Sequence, residues 1–255
     1  MILAIIQARM GSSRLPKKVM MDLAGRPVLL HVIDRLKHVS RVDEIIVATT
    51  TDPSDDCVEE QCRIWGVPVF RGPVDDVLAR YYSAVQSILL ARGPVDAIVR
   101  ITADCPLLDP SVVDSIVGGM IAGQYDYVSN IDPPTYPDGL DVEVFSKGAL
   151  EVAFSSATLP SEREHVTPYI RNNPRFKKFN HLHEPDLSKI RLTLDTEKDF
   201  LLISRIYQSL YRPGEIFHLD DVLRLLEKEP ALLEINAEHE RNEGYRKSLE
   251  HDHTR

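Results

Sequence analysis

Arg9, Arg14, Lys17 and Lys18 place four cations within ten residues of a chain whose formal net charge is −9. Such a concentration in an acidic background calls for an anionic ligand, and a small polyphosphate fits it. Ala8, Arg9, Met10, Gly11, Ser12 and Ser13 follow directly on an apolar run, Leu3 to Ile6, where a strand would deliver a loop to phosphate. Gly11 permits close backbone approach, Ser12 and Ser13 add donors, Arg14 a rigid fork and Lys17 or Lys18 a mobile point charge. Each charge-assisted hydrogen bond contributes roughly 1.5–3 kcal/mol net, so three or four support micromolar binding. Neither the Walker spacing nor the dinucleotide Gly-x-Gly-x-x-Gly is present, which disfavours kinase chemistry. The plainer reading of the cluster is a solvated basic loop.

Acidic side chains supply the rest of the chemistry. Asp104 closes the run Ala97 to Ile101 and precedes Cys105-Pro106, a sharp turn at the end of a strand. Its carboxylate would face the phosphates, and Mg²⁺ is commonly held by one or two carboxylates together with substrate phosphates. Organising the turn is the alternative role. Asp195 ends the run Ile190 to Leu194 just before a helix and by itself reads as an N-cap. Asp141 and Glu143 alternate with Leu140, Val142 and Val144, giving a strand with one acidic face that either contacts an acceptor or is wet. Glu164 and His165, sharing a helix with Tyr169, suit acceptor binding, a base, or a structural pair. His181 and His183 alternate on a strand with no third ligand nearby and read as surface residues.

Something must hold these residues together. Leu3–Ile6, Glu44–Thr49, Val67–Phe70 and Ala97–Ile101 read as strands, and Leu29, Val32, Ile33 and Leu36, then Leu78, Tyr81, Val85 and Ile88, as helix faces between them. This β-α-β-α order predicts an α/β fold with a mostly parallel, doubly wound sheet. Ligands of such sheets bind beyond the carboxyl ends of the strands, so the loops 7–18, 49–52, 71–76 and 102–108 should converge. Further strands are expected over 176–182 and 190–194. Thr196 with Asp199 resembles a capping box opening a helix with Phe200, Ile203 and Tyr207. A charged, solvated helix is expected over 236–255.

With 43% hydrophobic and 27% charged residues the 255-residue chain suits one globular domain. Its acidic balance argues against coating nucleic acid. Met1 to Gln7 reads as a strand rather than a leader, and no apolar run is long enough to span a bilayer, so a soluble cytoplasmic protein with no membrane partner is expected. Cys57, Cys62 and Cys105 show neither disulfide nor zinc spacing.

Gly11-Ser-Ser-Arg14-Leu-Pro-Lys-Lys18 resembles the signature loop of the cytidylyltransferases that make CMP-activated sugars, in particular their spore-coat polysaccharide branch. Matching segments continue along nearly the whole chain: Arg71-Gly with Asp76-Val-Leu, Arg100 to Pro106, Pro137 to Glu143, Glu162 to Pro168, Arg191 to Thr196, and Asn242 to Tyr245. The resemblance implies a Rossmann-like, GT-A-like nucleotidyltransferase fold with an acceptor and dimerisation region at about 130–190, and a homodimer. It implies attack of an acceptor oxygen on the α-phosphorus of CTP, giving a CMP-linked product and pyrophosphate. It assigns catalysis to Arg14, Lys18 and Asp104, magnesium to Asp104 and Asp195, and the nucleotide to residues 8–13 with Arg71 and Thr102; Asp141, Glu143, Glu164 and His165 are the candidates for the small acidic acceptor. Thr102 departs from the glutamine common in CMP-sugar synthetases two residues before the metal aspartate. The competing readings are a glycosyltransferase using a nucleotide-sugar donor, whose Asp-x-Asp pair is missing at 104–106, and a non-catalytic nucleotide-binding scaffold.

Overall fold

The computed structural model of the protein describes residues 1–239, 241 and 243–252. Nine strands are assigned among them: β1 (Ile2–Gln7), β2 (Asp22–Leu23), β3 (Arg26–Pro27), β4 (Glu44–Thr50), β5 (Val69–Gly72), β6 (Ala97–Thr102), β7 (Tyr127–Ser129), β8 (Glu143–Ser146) and β9 (Lys178–Asn180). The helices are α1 (Val28–Leu36), α2 (Asp56–Ile64), α3 (Val77–Arg92), α4 (Pro110–Gly123), α5 (Lys147–Ser156), α6 (Pro160–His165), α7 (Pro168–Asn172), α8 (Glu197–Leu210), α9 (Leu219–Lys228) and α10 (Glu243–Asp252). The main sheet runs β5-β4-β1-β6-β8-β7-β9, with β8 antiparallel to both neighbours and the other pairings parallel.

A central parallel strand has no solvent face, and β1 is apolar on both sides accordingly. Ala4 and Ile6 pack with Leu29, Val32 and Ile33 of α1, while Leu3 and Ile5 pack with Leu78, Tyr81 and Val85 of α3 on the opposite face. The spacing of three and four that marks both helices in the sequence is therefore the spacing that covers the sheet. A third apolar cluster joins Leu192 and Leu194 to Leu202, Ile203 and Ile206 of α8 and to Val222 and Leu226 of α9.

Four elements differ from expectation. The acidic-faced strand begins only at Glu143, because Asp138 and Leu140 turn around Gly139, whose φ of 102° is open to glycine. Residues 190–194 form no strand; Arg191 makes one isolated parallel bridge to Asp138. The strand expected over 176–182 shrinks to β9. The helix through Glu164 and Tyr169 is two helices, broken at Val166 (φ 70°, ψ −53°), with Thr167 N–H donating to His165 O at 2.8 Å in a γ-turn. Pro168 restarts the chain as the first residue of α7, where its missing N–H costs nothing.

The C-terminal helix is also not simply solvated. Ser248 is 5% exposed, and Asp252 accepts from Ser161 N at 2.9 Å and Ser161 Oγ at 2.5 Å, clamping α10 to α6. Asn242 lies outside the described residues. No helix among those described is long and apolar enough to cross a membrane.

Candidate active site

The carboxyl ends of β1 and β6 lie side by side, with Gln7 opposite Thr102 in the ladder. Past Gln7 the chain curls around the Met10 carbonyl, which accepts from Ser12 N at 2.9 Å and Lys17 N at 3.0 Å. Met10 N donates to Asp55 Oδ1 at 2.6 Å, tying the loop to the end of β4, and the buried Asp55 is itself held by Thr50 N at 3.2 Å. Lys17 takes a left-handed conformation, which turns the chain so that Lys18 points inward. Gly11, Ser12, Ser13, Arg14 and Lys18 line one compartment of a cleft, about 370 Å³ in volume.

Lys18 organises its floor. Nζ donates to Asp104 Oδ2 at 2.6 Å and to Asp195 Oδ1 at 2.7 Å, while Arg14 Nη2 reaches Asp195 Oδ2 at 2.9 Å. Burial works to lower the Lys18 pKa, yet the two carboxylates outweigh it and raise it. Burial likewise pushes Asp104 up, and the Lys18 ammonium overcomes it to hold the carboxyl below the usual range.

The alternative reading of Asp195 as an N-cap is settled by its neighbours. Thr196 caps α8 and Asp199 completes the box, its Oδ2 accepting from Asp195 N and Thr196 N at 3.0 Å. The Asp195 backbone is thus anchored while its carboxylate stays in the cleft. Asp104 and Asp195 converge on one cationic centre, and among the described residues no third His, Cys, Asp or Glu completes a cage. Two carboxylates that leave the remaining ligands to phosphate and water are the donor set Mg²⁺ prefers, so the residues fit that ion.

A second compartment, about 350 Å³, adjoins the first through Arg14, Asp104 and Asp195. Asp141, Glu143, Glu164 and His165 all line it. Glu143 is buried, with Arg100 Nη1 at 2.6 Å, Tyr127 Oη at 2.7 Å and Thr167 Oγ1 at 2.5 Å donating to it. Burial raises Glu143, but Arg100 and the other donors hold it below the ordinary carboxylate value. Asp141 pairs with Arg241, and burial pushes its pKa up to about 7. Burial, with Arg100 nearby, lowers His165 to about 4, so the imidazole is neutral at physiological pH.

Several contributors were not singled out from sequence. Gln7, Asp138, Thr167, Arg171 and Tyr245 line the cleft. Arg100 and Arg191 each stand four residues before a site aspartate, a repeated Arg-x-x-x-Asp that is the signal for both. Arg191 joins Asp138, Asp195 and Asp199 at 2.9, 3.3 and 2.9 Å. Conversely, Arg71 turns away from the cleft to Asp56 (2.6 Å) and Glu59 (3.0 Å), fixing the start of α2. Ala8 is buried in the core, and Met10 contributes its backbone groups to the loop. His181 and His183 are half-buried at the surface and pack around Tyr136.

A Ser111, His218 and Asp109 grouping lies elsewhere. One ring nitrogen, His218 Nδ1, faces both Ser111 Oγ (3.3 Å) and Asp109 Oδ1 (3.1 Å). A nucleophile relay needs the two opposite nitrogens, so this is a cap for α4 and α9.

Comparison with known proteins agrees with this geometry. A family model described as cytidylyltransferase matches residues 3–235. An uncharacterised protein of Methanocaldococcus jannaschii is 40% identical over 250 residues, 96% of this chain and 98% of that one. The spore coat polysaccharide biosynthesis protein SpsF of Bacillus subtilis is 30% identical over 237 residues, 90% of this chain and 95% of its own. The solved structure of a cytidylyltransferase from Leptospira borgpetersenii superposes with a TM-score of 0.84 at 34% identity, covering 91% of this chain and 96% of that one. The chain belongs to the cytidylyltransferase family.

Proposed function

We propose that this member of the cytidylyltransferase family transfers CMP from CTP to a hydroxyl of a small acidic sugar, releasing pyrophosphate, for the assembly of a surface polysaccharide. The observation that carries the reading is the junction at Lys18, where a phosphate-binding loop meets two aspartates beside a second polar compartment. The name of the Bacillus subtilis relative supports a polysaccharide pathway. Of the arginines lining the second compartment, Arg9 and Arg171 make no ion pair among the described residues, which favours an anionic acceptor.

In this reading the backbone of Gly11 to Ser13 cradles the triphosphate. The acceptor hydroxyl gives its proton to solvent as its oxygen forms a bond to the α-phosphorus, the bond from that phosphorus to the bridging oxygen breaks, and pyrophosphate leaves. Arg14 and Lys18 take up the charge that grows on the leaving group, where preorganised cations contribute most. Asp104 and Asp195 would hold Mg²⁺, which when bound neutralises phosphate oxygens. Asp141, Glu164 and neutral His165 accept from, or donate to, acceptor hydroxyls, and the rigid pairing of Glu143 with Arg100 fixes the wall behind them.

Pyrophosphate release from CTP with Mg²⁺ and a sugar acid tests the proposal. Arg14→Ala and Asp104→Ala should each slow turnover by about 100-fold or more while the protein stays folded. Unchanged release in either variant refutes the assignment, and release of a nucleoside diphosphate from a nucleotide sugar would point to glycosyl transfer instead.

A further inference from the structure

The segment matched by the family ends at residue 235, yet α10, beyond it, forms one wall of the second compartment through Gly244 and Tyr245. That wall is tied down. Ser248 Oγ donates to Glu164 Oε2 at 2.7 Å and meets His165 Nε2 at 2.9 Å, and the Tyr245 ring meets the His165 ring edge to face at 5.1 Å. From this fixed position Tyr245 presents its face to Arg171, whose guanidinium carbon stands 5.2 Å from the ring centre.

Arg171 differs from Arg14, Arg100 and Arg191, which line the same compartment. Arg100 is spent on Glu143 at 2.6 Å and Arg191 on Asp138 at 2.9 Å, whereas Arg171 makes no ion pair among the described residues. The nearby carboxylates are already engaged, Glu143 by three donors and Asp141 by Arg241. Against burial, Glu143 and Tyr245 favour its charged form, and the half-buried guanidinium lines the compartment, where a planar carboxylate matches its edge.

We propose that α10 completes the acceptor-selecting wall of the site: Tyr245 aims Arg171 at the carboxylate of the acceptor, so acceptor choice depends on a helix that lies beyond residue 235. Arg171 is the binding residue and Tyr245 a positioning residue. This inference rests on the nucleotidyl-transfer reading above and adds the anchoring point of the acceptor.

The test measures pyrophosphate release with CTP and Mg²⁺ across a panel of eight- and nine-carbon 2-keto-3-deoxy sugar acids and their counterparts with the carboxylate reduced to hydroxymethyl. The protein should use at least one acid and disfavour its neutral counterpart by about 100-fold or more. Arg171→Met should raise the acceptor KM about 100-fold, and Arg171→Lys, which keeps the charge but not the fork, about 10-fold, with the KM for CTP within about twofold of wild type. Tyr245→Ala should raise the acceptor KM by about 3- to 30-fold, and Tyr245→Phe, which keeps the aromatic face, should restore it. Equal use of acid and neutral sugar, or an unchanged acceptor KM in both Arg171 variants, overturns the clamp while leaving nucleotidyl transfer standing. Equal effects of Tyr245→Ala and Tyr245→Phe overturn the aiming role. If CTP binds but no acid is turned over by the wild type, the acceptor class and the clamp fall together.

Discussion

Replacing Lys18 with Met, a side chain of similar length, removes one ammonium shared by two carboxylates. Nζ lies 2.6 Å from Asp104 and 2.7 Å from Asp195, with side-chain exposures of 11%, 23% and 20% for the three groups. Each charge-assisted bond is worth roughly 1.5–3 kcal/mol. The two share one desolvation cost, and Arg14 and Arg191 still compensate Asp195, so we expect a net loss of about 2–4 kcal/mol. In a domain of this size that lowers Tm by about 4–16 °C.

The pH dependence follows from the signs. Asp104 is held below its ordinary 3.8, so its contribution is present above that value and lost as pH falls through the lowered one. Lys18 is raised above 10.5, so its contribution is present below that value and lost as pH rises through the raised one. Between about pH 5 and 9 the difference in Tm between variant and wild type should therefore be flat. Thermal melts followed by circular dichroism, with chelator present, measure it, and pyrophosphate release should fall by about 100-fold or more in parallel. A Tm within about 1 °C of wild type, or a difference that appears only above pH 9, would show that the bridge does not stabilise the floor of the cleft.

Three further outcomes are expected. Asp199→Ala removes a fully buried carboxylate that accepts from Arg191 at 2.9 Å and from Asn236 at 2.8 Å, and should cost about 3–5 kcal/mol in urea unfolding, with turnover falling as Asp195 loses its anchor. Gly139→Ala would place a Cβ 2.5 Å from the Leu192 carbonyl carbon at a φ of +102°, and should cost at least about 2 kcal/mol by the same assay. His165, lowered from 6.5 to about 4, stabilises the fold above pH 6.5 and loses that contribution as pH falls through 4. His165→Gln should accordingly reduce the fall in stability between pH 6.5 and 4 by about 2–3 kcal/mol, read from urea melts at pH 7.5, 5.5 and 4.5.

The parallel half of the molecule is legible because its signals are local. Alternation of Ala4 and Ile6 against Leu3 and Ile5, and the four-residue steps along α1 and α3, are decided by which face each residue buries. The second half is not legible in that way. Leu140, Val142 and Val144 alternate as a strand would, but Gly139 and the bridge from Asp138 to Arg191 hold the first of them in a turn. Arg71, assigned to the nucleotide by resemblance, stands outside the cleft, and only the fold shows that Asp56 and Glu59 of α2 pair with it. Contacts from α10 link residues more than 80 positions apart, such as Ser248 with His165 and Glu164, and no periodicity encodes them.

One antiparallel strand explains why the two compartments meet. Parallel strands β1 and β6 deliver their carboxyl ends, Gln7 and Thr102, to the same edge of the sheet, so residues lining the first compartment follow those strands in the sequence. A third parallel neighbour would have delivered another trailing loop. Because β8 runs the other way, its first residue, Glu143, stands opposite Arg100 near that edge. Residues preceding β8, Asp138 to Asp141, therefore face residues following β6, Asp104 and Cys105, across the cleft. Reversal of a single strand thus brings a segment that is read before its strand against one that is read after, and Asp195, anchored by α8, closes the third side. On the proposed reading, acceptor contacts can vary at Asp141 and on α10, which lie off the parallel strands, while Glu143 stays fixed to Arg100 of β6.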